Sequence, residues 1–216
     1  MTTADAQFWD NLAEKYSAKP IDNVPAYERK LEITKARLRP RHVILDIGCG
    51  TGSLALELAP HVAHVHAMDV SGEMLRIARS KADAGGTTNV TFHRGTLDEP
   101  HPFDPGTFAG VCAYNILHLV DDRPGMLRTI FELLEPGGFF VSSTVCLSGS
   151  WTPFGLILPV MRWLGQAPRV WMLDHGTVER EIRGAGFIDV EEIDVGGGPR
   201  VAFVVATKPS GTAVAA

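Results

Sequence analysis

Gly48, Gly50 and Gly52 stand at alternate positions just after the apolar run Val43–Ile47, which contains Asp46. Glycine at such positions permits tight dihedrals and lets a ligand lie against bare backbone that side chains would block. Ser53 then opens a segment in which Leu54 and Leu58 are four residues apart, as one helix face requires. Free N–H groups in the first turn of that helix attract a carboxylate or phosphate. A second acid, Asp69, falls 21 residues after Gly48, at the end of the strand-like run 62–69. An acid about 20 residues beyond a glycine turn ends the neighbouring strand of a doubly wound sheet and accepts hydrogen bonds from ribose hydroxyls. Each motif alone is weak, but in one strand–turn–helix–strand frame they specify a nucleotide-type binding site.

His118 is the second candidate for chemistry. It follows a predicted central strand, 108–114, and an imidazole titrates near neutrality, so it could take a proton from a hydroxyl, a thiol or an activated carbon. The competing reading is a structural histidine at a strand end. The other histidines singled out (His61, His64, His66, His93, His101 and His175) share no spacing. Asp121-Asp122 read as the cap of the next helix rather than as metal ligands, and no metal is expected.

The elements that must position these residues follow in order. Helices are predicted over 8–15 and 27–38, with Pro20 and Pro25 as interruptions and Pro40 as a stop. Ser71 caps a helix whose core face is Met74, Leu75, Ala78 and Ala82 and which Gly85-Gly86 ends. Strand 90–94, loop 95–106 and strand 108–114 come next. A helix marked by Leu127, Ile130, Phe131 and Leu134 ends at Pro136-Gly137-Gly138, before strand 139–145. Residues 147–173 carry three tryptophans and few charges, with no simple period. Helix 177–185 precedes strands 188–195 and 201–207, which Gly196–Pro199 joins as an antiparallel hairpin. The expected fold is therefore α/β, a doubly wound, mostly parallel seven-stranded sheet with an antiparallel C-terminal hairpin. The expected organisation is one domain over 1–216: an N-terminal helical lid over 1–40, an inserted apolar cap over 147–174, and a disordered tail over 209–216.

Composition bounds the partners. A net charge of −5 and the lack of a long basic run argue against a nucleic-acid surface, and no basic clamp for an anionic ligand is visible. The first twelve residues show no signal-peptide pattern, and 151–164 is too short and interrupted to span a bilayer. Cys49, Cys112 and Cys146 are far apart, without metal spacing, and read as free thiols of a cytoplasmic protein. Monomer and homodimer both stay open.

Ser53 breaks the G-x-G-x-x-G pattern of dinucleotide enzymes, and no Gly-Lys-Ser/Thr follows as a P-loop requires. The chain instead resembles the class I S-adenosylmethionine-dependent methyltransferases, through VILDIGCGTG (43–52), MDVSGEML (68–75), NILHLVDD (115–122) and LEPGGF (134–139). Within that superfamily it is similar to the small-molecule enzymes that include the ubiquinone/menaquinone C-methylating ones. The resemblance implies S-adenosyl-L-methionine as cofactor and S-adenosyl-L-homocysteine as product and says little about the acceptor, for which the apolar stretch 147–173 suggests a small, rather hydrophobic molecule. It places Asp46 and the Gly48, Cys49, Gly50, Gly52 backbone at the methionine end, with Asp46 either touching the cofactor or orienting the loop. It places Asp69 on the ribose, Val70 and Met74 near the adenine, Thr96 and Leu97 at the adenine edge, and Asn115 beside the sulfonium. Relatives often have Gly-Asp where Gly95-Thr96 stands, which leaves Asp98 or the Thr96 hydroxyl for the adenine amino group. They also tend to have Phe-Asp in place of Phe108-Ala109. Tyr16 either closes over the cofactor or packs in the core. Trp151, Phe154, Trp163 and Trp171, with His118, would wall an acceptor pocket; a dimer contact and a membrane-surface patch are the alternatives for that stretch. Two other functions stay open: a binding protein for the same cofactor without transferase activity, and a nicotinamide-dependent reductase.

Overall fold

The computed structural model describes residues 3–98, 100–148, 154–163 and 165–211. Val43–Ile47 forms strand β1, in which Ile44, Leu45 and Ile47 are buried, as a strand covered on both faces requires. The other strands are β2 (His64–Asp69), β3 (Val90–Arg94), β4 (Phe108–Tyr114), β5 (Leu134–Val145), β6 (Ile188–Glu192) and β7 (Val201–Thr207). They lie in one sheet in the order β3-β2-β1-β4-β5-β7-β6, parallel throughout except for β7, which runs against both its neighbours. This is the mostly parallel sheet with a reversed C-terminal hairpin that the sequence leads one to expect.

Alternation along the strands divides the core into two layers. Leu45, Ile47, Val111, Ala113, Phe140 and Val204 pack on one side, where α5 (Arg123–Leu133) and α7 (His175–Gly184) contribute Leu127, Ile130, Val178 and Ile182. Ile44, Cys112, Val141, Phe203 and Val205 pack on the other with α2 (Val24–Lys35) and α3 (Ser53–Leu58), through Leu31, Ile33, Leu54 and Leu58. Helix α1 (Thr3–Ala18) rests on α4 (Gly72–Ala84), Trp9 and Ala13 meeting Met74 and Ile77. Cys49, Cys112 and Cys146 are buried free thiols. Among the described residues no helix is long and apolar enough to cross a membrane.

Several boundaries differ from expectation, each for a local reason. Pro25 does not interrupt a helix but sits in the first turn of α2, where an N–H would have no helical partner, and Asn23 Oδ1 accepts from Ala26 N at 3.1 Å. Helix α5 stops at Leu133 because Leu134 already pairs with Phe108; residues 135–138 then bulge before Phe139 pairs with Gly110. Helix α6 (Phe154–Trp163) forms in the stretch that showed no period and carries Pro159 inside it. Strand β6 ends at Glu192 rather than Val195. Residues 212–216 of the expected tail lie outside the described residues. With β2 on one side of β1 and β4 on the other, the carboxyl ends of β1 and β4 form the switch point at which open α/β sheets bind ligands.

Candidate functional site

The loop after β1 is fastened to its neighbour by backbone alone. Gly48 N and Cys49 N both donate to Met68 O, at 2.8 and 3.0 Å. Gly52 has φ +79° and precedes α3 where a Cβ would stand 2.9 Å from Ala78 Cβ, so only glycine lets α3 start this close to α4. Gly50 has φ +53°, and a side chain there would point at the Tyr16 ring, 3.8 Å away. Its N–H donates to Asp69 Oδ2 at 2.8 Å, while Asp69 Oδ1 accepts from Ser71 N at 2.9 Å. One buried carboxylate thus ties the glycine turn to the start of α4. Burial raises its pKa and these two bonds oppose the rise. Each of its oxygens retains lone-pair capacity for a ligand hydroxyl.

A cavity of about 320 Å³ opens above this joint, within the range of small-molecule sites. Gly48, Gly50, Asp69, Val70, Met74, Thr96, Asn115, Tyr16 and His118 all line it, so the structure brings most of the expected site together. Gly52 shapes the cradle from outside the lining, and Cys49 and Leu97 are buried behind it. Asp46 lies beneath, 1 % exposed, with Oδ2 unpartnered; burial, then the charge of Asp69, pushes its pKa up to about 8. The Thr96 hydroxyl is likewise buried without a partner.

Asn115 takes φ +57°, a left-handed conformation that asparagine tolerates better than most residues, and its N–H donates to Ser143 O at 2.7 Å. This bend turns β4 into the 3-10 turn Leu117–Leu119, which presents His118 to the cavity. Burial holds the His118 pKa down to about 4, so its ring is neutral at neutral pH, and Nδ1 has no partner. Asp122 caps α5, accepting from Gly125 N at 2.9 Å.

The aromatic walls expected from 147–174 are placed elsewhere. Trp171 lies beside the Arg169 guanidinium, 4.6 Å from the ring centre, with Arg123 at 5.8 Å, and its Nε1 donates to Asp121. Its ring is used by that polar network, while Trp163 is 84 % exposed and Phe154 half-buried. None of the three lines the cavity, and Trp151 lies outside the described residues. The apolar walls are instead Trp9, Ile116, Leu119, Met126 and Val145. Trp9 had a readable signal, two helical turns before Tyr16, and their rings meet edge-on at 6.2 Å. Asp10 was also missed. It fixes α1 over the site by accepting from Ser71 Oγ (2.6 Å) and Glu73 N (3.1 Å).

The cradle, the orphaned Asp46 and Thr96 oxygens and Asp69 fit a ligand with a ribose, an adenine edge and a cationic amino-acid tail. A methyltransferase-domain family matches residues 44–138. An uncharacterised methyltransferase, YcgJ, of Bacillus subtilis is 36 % identical over 112 residues, covering 51 % of this chain and 44 % of the relative. A ubiquinone biosynthesis O-methyltransferase of Vibrio parahaemolyticus is 29 % identical over 140 residues, covering 65 % and 58 %. The chain thus spans about half the length of the curated relatives it matches. Among solved structures, a Haemonchus contortus phosphoethanolamine N-methyltransferase 2 in complex with S-adenosyl-L-methionine superposes with TM-score 0.76 at 18 % identity, covering 96 % of this chain and 60 % of that one.

Proposed function

We propose, from the match of residues 44–138 to a methyltransferase-domain family, that the chain is a class I S-adenosylmethionine-dependent methyltransferase that moves a methyl group from S-adenosyl-L-methionine to a small, largely apolar acceptor. The observation that carries this reading is the bond from Gly50 N to Asp69 Oδ2, which sets bare backbone beside a carboxylate at the mouth of one cavity. When bound, the cofactor supplies an electrophilic methyl group on a sulfonium.

The protein's own part is positioning. Asp69 would accept from the ribose hydroxyls, Val70 and Met74 would pack on the adenine, and the Thr96 hydroxyl would meet the adenine edge. Asn115 would stand beside the reacting centre. Trp9 and Tyr16, on the helix that Asp10 latches to α4, would cover the cavity and exclude water. Alignment of this kind supplies as much as about 7–11 kcal/mol without an acid or base. His118, neutral and lining the cavity, would hold the proton that a hydroxyl, thiol or carbon acid releases as it is methylated. Ubiquinone biosynthesis among the named activities of the relatives supports an apolar acceptor skeleton, in keeping with Leu119, Met126 and Val145.

Incubation of the purified protein with deuteriomethyl cofactor and cell extract, followed by mass spectrometry, tests the proposal. A heavy-methyl product that depends on the protein is expected. Binding without any labelled product would overturn transfer and leave a cofactor-binding protein.

A further inference from the structure

Lys30, on α2, ends in a half-buried amine that donates to Ser143 Oγ at 2.8 Å, a hydroxyl wholly buried on β5. Among the described residues no carboxylate pairs with it, and burial lowers its pKa. Ammonium groups drawn out of water ordinarily find an anion. This one has a neutral hydroxyl.

Its position gives that imbalance a meaning. Ser143 is the register partner of Tyr114, and its carbonyl accepts from Asn115 N. Tyr114, Asn115 and Val145, two residues along the same face of β5, all line the cavity. The ammonium therefore stands behind the wall of the cavity on the β4–β5 side, whereas Asp69 stands on β2. The sheet order separates these strands by three steps, about 14 Å. The remaining hydroxyls at this wall balance no charge. Tyr114 Oη is shared with Thr34 Oγ1 (2.9 Å) and donates to Lys30 O (3.2 Å), and burial pushes its pKa up; the Tyr27 pKa is pushed up to about 12. The cavity is thus acidic at its ribose end, and an ammonium whose hydrogen-bond partner is a neutral hydroxyl stands behind its opposite wall, outside the lining itself. Lys81 repeats the lysine–hydroxyl pairing at Thr51, but it stands on α4, which packs against β2 and β3 on the Asp69 side of the sheet.

We propose that Lys30 selects an acceptor bearing an oxyanion on an apolar frame, and that Ser143 holds the ammonium in place until that group arrives. The proposal rests on the methyltransferase reading of the cavity and adds the charge of the substrate to it. A lysine acts as a point charge, so it reads the presence of the anion rather than its shape. Lys30 belongs to no basic run, which is why composition and spacing showed no clamp.

The test is calorimetric, on the full chain saturated with S-adenosyl-L-homocysteine, using benzoate and octanoate against benzamide and octanamide. The wild type should bind each acid tighter than its amide by about tenfold or more, the scale of one hydrogen bond to a charged group. Lys30→Met should erase that preference, Lys30→Arg should keep most of it, and homocysteine-cofactor affinity should be the same in all three. Lys30→Gln repeats the comparison if the Met variant does not fold. Equal binding of acid and amide to the wild type, no binding of either, or an unchanged preference in a folded Lys30→Met protein would each overturn the proposal. Failure of S-adenosyl-L-homocysteine to bind the wild type would instead strike the methyltransferase reading, and the same acid–amide pairs titrated against the free protein would still decide the role of Lys30.

Discussion

Replacing Asp46 by Asn keeps the shape of a buried, neutral carboxyl group and removes its titration. In the wild type that group is 1 % exposed and its pKa is pushed up to about 8 by burial and by Asp69. In the unfolded chain it would sit at about 3.9. Between those values the native protein holds a proton that the unfolded chain has released, so wild-type stability falls as pH rises through the window. Roughly four pKa units cap the penalty at about 5–6 kcal/mol above pH 8, leaving about 4 at pH 7 and under about 2 at pH 5. The Asn variant carries no such slope. Urea melts of the ligand-free protein from pH 5 to pH 8 should therefore show the variant-minus-wild-type stability rising by about 4 kcal/mol. The variant should also bind the cationic cofactor more weakly, a trade of function for stability that buried active-site charges commonly show. A stability difference that does not change with pH would refute the claim that Asp46 is a neutral acid held in reserve beneath the glycine loop.

Other expectations follow from the same geometry. Asp69→Ala should weaken S-adenosyl-L-homocysteine binding by about 1–3 kcal/mol in a calorimetric titration, the loss expected for buried bonds to a carboxylate, and should lower the melting temperature because Gly50 N and Ser71 N lose their acceptor. Gly52→Ala combines a positive φ with a Cβ 2.9 Å from Ala78 and should cost more stability in urea melts than Gly86→Ala, which shares the φ sign and meets no atom within 4 Å. The depressed His118 pKa means that this residue removes stability as pH falls from about 6.5 towards 4, since the unfolded chain takes up the proton first. His118→Ala should flatten that limb and, if the ring carries the substrate proton, reduce turnover by about 10²-fold or more with cofactor affinity unchanged; unchanged turnover would remove the base from the mechanism.

The glycine-loop side of the cavity was legible because it is local. The glycine spacing, the acid at 69 and the cap at Ser71 each write their geometry into a few consecutive residues, and Ser71 Oγ does accept from Met74 N at 3.1 Å. The opposite side is assembled from long-range neighbours. Met126 sits on α5, Val145 at the end of β5 and Trp9 on α1, and no spacing in the chain announces that they meet. The tryptophans near 163–171 misled for a related reason. Aromatic composition suggests a wall, but two flanking arginines and Asp121 give Trp171 a polar setting that only the fold reveals. The bulge at 135–138 was hidden similarly, since Pro136 and two glycines read as a helix stop when they in fact interrupt a strand that had already begun.

The central claim, that the 48–52 cradle and Asp69 receive an adenosyl amino acid rather than a dinucleotide, is tested most directly by calorimetry at pH 7 with S-adenosyl-L-homocysteine and NAD in buffers of different ionisation enthalpy. One-to-one binding of S-adenosyl-L-homocysteine with net proton release is predicted, as the ligand's ammonium draws Asp46 into its charged form, with no binding of NAD. No heat with S-adenosyl-L-homocysteine, or tighter binding of the dinucleotide, would contradict it.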